Sequence, residues 1–176
     1  MNIAIQPLGG FAEALAERTS APGGGAAAAA AAALGHAAGA MAARYTTGAK
    51  YAAQEAAALA LASTLDQKRL RALALADLDA SAYARVQAVK ADPQAKANAE
   101  TAARAIPLEL LADCAVAVEA LREFRPRCNP WLVSDVDVAI HLLTGAGRAA
   151  HATLLANRPP ADEIATADRD LQRLQP

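Results

Sequence analysis

Pro22-Gly23-Gly24-Gly25, followed without a break by the eight alanines Ala26 to Ala33 and then Leu34, is the stretch on which the reading of this chain turns. Proline and three glycines do not extend a helix, whereas a block of alanine favours one. Together they predict a turn without side chains that opens directly into a helix N-terminus. The first backbone N–H groups of such a helix have no partner within it, and the helix dipole concentrates partial positive charge there. Bare glycine lets an oxygen approach that backbone closely, so the turn predicts a seat for an anion or a carbonyl. The plainer alternative is a tight corner between two helices, and the stretch alone does not choose between them.

Working outward, the alanine helix is predicted from about Gly25 to Arg44 or Tyr45. Gly35 and Gly39 lie four apart on it and leave one face smooth enough for another helix to come close. Thr46-Thr47-Gly48 ends it. Upstream, Phe11 to Arg18 reads as a short amphipathic helix. Downstream, a long helix is expected from about Ala49 to Val89, with leucines spread along it. Asp92-Pro93 stops one helix and starts the next, because proline suits a first helical turn. That helix is expected to reach about Phe124, with a kink or break at Pro107. Asn129-Pro130 marks a turn inside the loop Arg125 to Pro130. A last long helix is predicted over Val133 to Leu155, ended by Pro159-Pro160. Ala161 to Leu174 reads as a short polar-faced helix, loosely attached. No run alternates apolar and polar residues with β-branched enrichment. The expectation is an all-α fold: one domain over residues 1–176, a helical bundle of about five main helices with a Gly-rich turn before a central Ala-rich helix.

Composition narrows the function classes. Hydrophobic residues make up 55% of the 176 residues but aromatics only 3%, so the core must be alanine, leucine and valine. Alanine buries little area per residue, which predicts that a second subunit completes the apolar burial and that the protein is a homodimer. A net charge of -1 gives no electrostatic basis for a nucleic-acid partner. Cys114 and Cys128 lack zinc-type neighbours and form no disulfide framework. Met1 to Gly10 lacks the basic start and apolar run of a leader. Ala26 to Met41 has the length to pass for a membrane span, but alanine is only weakly lipophilic and His36 and two glycines interrupt it. No membrane association is expected, and a cytoplasmic protein with reduced thiols is.

Among candidate chemical groups, His36, His141 and His151 share no metal-ligand spacing, so no metal site is predicted. Asp137 and His141 stand at i,i+4 and read as a solvated ion pair. Lys68, Arg69 and Arg71 form a basic run, read first as a solvated face and second as a site for an anionic tail. Asp77 and Asp79 lie in an otherwise apolar helical stretch; one is expected to face inward, where a carboxylate needs a partner or a task. Asn129-Pro130-Trp131-Leu132-Val133-Ser134-Asp135 holds the only tryptophan beside a polar pair, and on physical grounds alone Ser134 or Asp135 is expected to cap the last long helix.

Taken together these stretches resemble the cyclodeaminase/cyclohydrolase family, which includes the formiminotetrahydrofolate cyclodeaminase domain and bacterial methenyltetrahydrofolate cyclohydrolases. The residues that carry the resemblance are the glycine turn with an alanine helix ending in Met41; Thr46, Gly48, Lys50 and Tyr51; Asp79-Ala80-Ser81-Ala82-Tyr83; Ile106-Pro107-Leu108; Asn129, Ser134 and Asp135; and Asn157. They span Phe11 to Asn157. Five positions depart from the pattern. Ala26 stands where serine is usual, Ala49 replaces a lysine, Tyr51 comes one residue early, Thr153 replaces an asparagine, and His36 replaces a small residue.

The resemblance implies an all-helical dimer and a folate or related pterin, such as a methanopterin-type relative, bound near the glycine turn and the subunit interface. No tightly bound cofactor is implied, since the tetrahydrofolate derivative is itself the substrate. Methenyltetrahydrofolate carries an amidinium cation across N5 and N10, which a carboxylate stabilises while it takes a proton from attacking water. In this scheme Asp135 is the catalytic carboxylate and Lys50 orients an oxygen or supplies a proton. Gly23, Gly24 and Gly25 hold the pterin amide or a carboxylate through backbone N–H groups. Tyr51 and Ser134 contact substrate, and Asp79 accepts from the pterin amino groups. For a free-standing chain of this size, hydrolysis of the methenyl compound to formyltetrahydrofolate is expected ahead of cyclodeamination of the formimino compound. A divergent, non-catalytic pterin-binding protein is the third expectation.

Overall fold

The computed structural model describes residues 2–5 and 7–176; Met1 and Gln6, part of the stretch read above as lacking a leader, lie outside the described residues. Among the described residues six α-helices follow one another: α1 (Leu8–Ala16), α2 (Gly24–Arg44), α3 (Ala52–Ala88), α4 (Pro93–Phe124), α5 (Val133–Ala156) and α6 (Ala161–Arg173). Among the described residues there is no strand.

Helices α2 to α5 run alternately up and down and close into a four-helix bundle, with α2 packed chiefly on α3 and α5, and α4 on α5 and α3. Short connections enforce the antiparallel order. Gly48, at φ 88°, turns the chain between α2 and α3, and its N–H donates to Glu55 Oε2 at 3.1 Å. Asp92 caps α4 by accepting from the N–H groups of Gln94 and Ala95, with Pro93 in the first turn.

The alanines of α2 permit close helix approach, and its glycines do the same. A Cβ on Gly35 would sit 2.8 Å from the Leu143 side chain, and one on Gly39 would sit 3.0 Å from Leu121 and 3.1 Å from Leu65. The smooth face expected from their spacing is thus filled by leucines from α3, α4 and α5. Those leucines carry the core, because burying one contributes about 2 kcal/mol against well under 1 kcal/mol for an alanine methyl. Leu65, Leu75, Leu110, Leu111, Leu121, Leu143 and Leu154 are all fully buried. Helix α2 is long and apolar enough to cross a membrane by length and composition, and it lies here as the central helix of the bundle.

Two structural expectations are corrected. Helix α4 continues through Pro107 without a break. Proline there forfeits one backbone hydrogen bond, but Ile106, Pro107, Leu110 and Leu111 are buried around it and hold the helix by packing. Helix α6 is docked along α4 rather than loosely attached. Arg104 pairs with Glu163 at 2.9 Å, Arg173 pairs with Glu119 at 2.6 Å, and Arg122 donates to the carbonyls of Arg173 and Leu174. Leu174 fills the space that Gly147 leaves by lacking a side chain.

The two buried polar side chains among the described residues differ in how they are satisfied. Thr46 donates to the Ala42 carbonyl and accepts from the Asn129 N–H, both at 3.0 Å. His36, fully buried in α2, has no partner for either ring nitrogen among the described residues. Burial, followed by the nearby Lys68 cation, lowers its pKa to about 4, with Asp113 pulling the other way.

Candidate functional site

The first turn of α2 has no acidic side chain of its own, and its N-cap, Gly23, has no side chain at all. The missing acceptor comes from α3. Asp79 reaches across to this turn, where the Ala26 N–H favours its charged form, standing in from another helix for the missing capping side chain. Gly25 makes this possible: a Cβ built there would overlap the Asp79 carboxylate. Burial pushes the Asp79 carboxyl above the ordinary aspartate range, and the nearby Ala26 N–H opposes that shift. Ala26, which departs from the family pattern, contributes through its backbone, while its methyl is buried in the core. Asp77, two residues away, faces elsewhere and accepts from the Ile3 N–H at 2.5 Å.

Around this pairing lies a cleft of about 440 Å³. The glycine turn forms one wall, Asp79, Tyr83 and Gln87 of α3 the next, and Glu100 of α4 another. Thr153, Asn157 and Arg158 at the end of α5 close it. Arg158 has φ 50°, the left-handed conformation that commonly follows a helix and usually falls to glycine.

The other proposed residues gather at the opposite end of α2. Lys50 is exposed, 5.3 Å from the Tyr51 ring centroid, in the short turn before α3. Ser134 and Asp135 occupy the first turn of α5, Ser134 exposed and Asp135 half-buried. Neither makes a side-chain cap, contrary to the physical expectation; Asn129 caps the preceding short turn, accepting from the Trp131 N–H and donating to the Tyr45 carbonyl. Trp131 beside them is 84% exposed. The 21 residues of α2 separate the two clusters by about 30 Å. Within one chain, Gly23, Gly24, Gly25 and Asp79 therefore share a cleft, and Lys50, Tyr51, Ser134 and Asp135 lie outside it. A smaller groove of about 320 Å³ between α3 and α4 contains none of them.

Other expected contacts resolve differently. Asp137 pairs with Arg125 through two bonds, at 2.6 and 2.8 Å, rather than with His141, because the planar guanidinium offers a bidentate match. The basic run is committed to ion pairs: Lys68 with Asp113 at 2.5 Å, Arg69 with Asp66 at 3.7 Å, Arg71 with Glu109 at 2.5 Å. Sequence reasoning missed Arg158, Gln87 and Glu100. Their only signal was position, Arg158 between a helix end and Pro159, the other two as polar residues among alanines and other apolar neighbours on long helices.

The family model for formiminotransferase-cyclodeaminase matches residues 7–175. The chain belongs to that family. Among solved structures, the chain is similar to formiminotetrahydrofolate cyclodeaminase from Thermotoga maritima, at 23% identity and a TM-score of 0.87 over 98% of this chain and 95% of that one. That likeness establishes a shared fold. A search of curated proteins gives no significant match.

Proposed function

We propose that the protein is an enzyme of folate one-carbon interconversion, working on the carbon held between N5 and N10 of a tetrahydrofolate derivative. The observation that carries this reading is Asp79, a desolvated carboxyl aimed into a cleft and anchored to a helix N-terminus. The family assignment, together with the activity described for the Thermotoga neighbour, favours cyclodeamination as the first reaction. N10 attacks the formimino carbon, the N10 proton must leave, and the departing amine must gain one. A carboxyl with a raised pKa takes the first proton and returns it to ammonia. Hydrolysis of the methenyl compound is the second reading, because the same carboxylate would accept a proton from water. Neither reaction changes the oxidation level of the carbon, so tetrahydrofolate serves as carrier without a further cofactor.

Lys50 and Asp135 enter this scheme through a second copy. Leu34, the midpoint of α2, is 51% exposed, and Met41, Tyr45, Trp131 and Val138 are exposed large apolar residues along α2 and at the start of α5. A two-fold axis near Leu34 would pair the α2 helices antiparallel and bury this apolar stretch. It would carry the partner's Lys50 and Asp135 toward the cleft of the first protomer, where a carboxylate and an ammonium suit the amidinium and the leaving group.

The test is to offer the purified protein both substrates at neutral pH. The expected outcome is methenyl absorbance rising with ammonia release from the formimino compound. Decay of the methenyl compound above the buffer rate, without ammonia release in the other arm, would put hydrolysis first. Pterin binding with neither turnover would establish the non-catalytic binder, and absence of binding would remove the folate reading.

A further inference from the structure

We infer that Arg158 holds a carboxylate at the outer end of the bound substrate. The inference rests on the folate reading above and adds a specificity residue to the same site. Among the described residues the cleft carries two acidic side chains, Asp79 at the glycine turn and Glu100 on α4, and Arg158 is its one basic lining residue. Glu100 is paired with Lys96 at 3.6 Å. Arg158 has no hydrogen bond or ion pair from its side chain among the described residues, although most arginines of the chain are engaged. The basic run at Lys68 to Arg71, the sequence's other candidate for an anionic tail, is already neutralised by Asp113, Asp66 and Glu109.

The backbone adds a second argument. The residue after the α5 cap adopts φ 50°. Glycine fits that conformation without strain, whereas arginine is disfavoured by about 1 kcal/mol. A folding requirement alone would select glycine or asparagine. What arginine adds is a planar guanidinium at the lip of the cleft, with donors spaced to grip a carboxylate through two parallel bonds. A tetrahydrofolate has complementary ends. Its pterin offers paired N–H donors, suited to Asp79, and its glutamate tail offers carboxylates. With the pterin at Asp79, the tail leaves the cleft past the end of α5, where Arg158 stands.

The experiment measures binding and turnover of wild type, Arg158→Lys and Arg158→Gly. The ligands are the tetrahydrofolate substrate with one glutamate and the same reduced pteridine ending at p-aminobenzamide, which has neither the glutamate nor any other carboxylate. Arg158→Gly is the informative variant, since glycine relaxes the backbone and is expected to fold at least as stably. For the glutamate-bearing ligand it should weaken Kd and KM roughly ten- to hundredfold, the scale of a charge-assisted pair, with kcat changed less than about threefold. Arg158→Lys should fall between, having charge without the fork. For the ligand without glutamate the three proteins should agree. Equal losses on both ligands, or none on either, would overturn the assignment while leaving the folate reading standing. Wild type binding neither ligand would remove both.

Discussion

The two ends of α2 treat polar groups in opposite ways. At the glycine end, donors without partners inside their own helix are met by a half-buried carboxylate from α3, and the result is a recess with one candidate acid–base group. At the far end, Thr46 and Asn129 satisfy the backbone among themselves, and the candidate residues Lys50 and Ser134, with half-buried Asp135, stand beside an exposed tryptophan. One end is complete within a chain; the other presents chemistry outward, next to apolar surface. The lesson is that a candidate constellation read from sequence order need not assemble within one chain. Topology sorts it, and here α2 is the divider.

The sharpest way to break the comparison is at Asp79. Asp79→Asn keeps an acceptor for the Ala26 N–H but loses the titrating group, so turnover should fall by about two orders of magnitude or more while urea midpoints move little. A large loss of stability with activity intact would make Asp79 a structural cap only. The two ends can then be recombined. If the site is shared across the two-fold, mixing Asp79→Asn protein with inactive Lys50→Met protein should restore about a quarter of wild-type activity, since half of the dimers are mixed and each holds one intact site. No recovery after verified subunit exchange would confine the chemistry to one chain.

Leu34→Glu tests the shared surface itself. A charge at the middle of the apolar stretch should yield a monomer at micromolar concentration by sedimentation, with helix content unchanged and turnover lost. A dimer that survives the change would move the interface elsewhere.

Smaller effects are expected inside α2. His36 has its pKa lowered from 6.5 to about 4 by burial, so the neutral form is the one the fold accepts. Stability from this group is present in full above pH 6.5 and is lost as pH falls through 4, on the order of 3 kcal/mol in all. His36→Leu should flatten that dependence and gain about 1–2 kcal/mol at neutral pH by removing two unpartnered nitrogens. Urea unfolding at pH 7 and pH 4.5 measures both. The smallest effect belongs to Asp135→Asn. Without a cap bond to lose, it should cost less than about 1 kcal/mol, and any fall in turnover then reflects chemistry rather than folding.

Much of this was legible in the chain. The glycine turn and alanine block announce α2, Gly35 and Gly39 announce close packing, and Asp92-Pro93 places a helix start to the residue. What escaped depends on contacts between distant residues. Leu174 entering the gap at Gly147 docks α6, and nothing local in either residue says so. The burial around Pro107 outweighs its local cost. Asp77 and Asp79 are alike in sequence, yet a turn of about 200° between them sends one to the N-terminal segment and the other to the cleft. The glycine turn and Asp79 could be proposed together from sequence, whereas the separation of Lys50 and Asp135 from them follows only once α2 is seen to run the length of the bundle.

Helix α2 is also a ruler. Its 21 residues fix how far apart the two candidate clusters sit and at what angle they face. Adding one residue would lengthen it by about 1.5 Å and swing everything beyond through about 100°. Seven added residues would nearly recover the angle and overshoot the span by about 10 Å. In a site hung on loops, insertions are absorbed where they occur. If the subunits pair along α2 as proposed, the length of one helix sets the gauge between them, so natural variants of this scaffold should differ freely in the connections around α2 and keep its residue count.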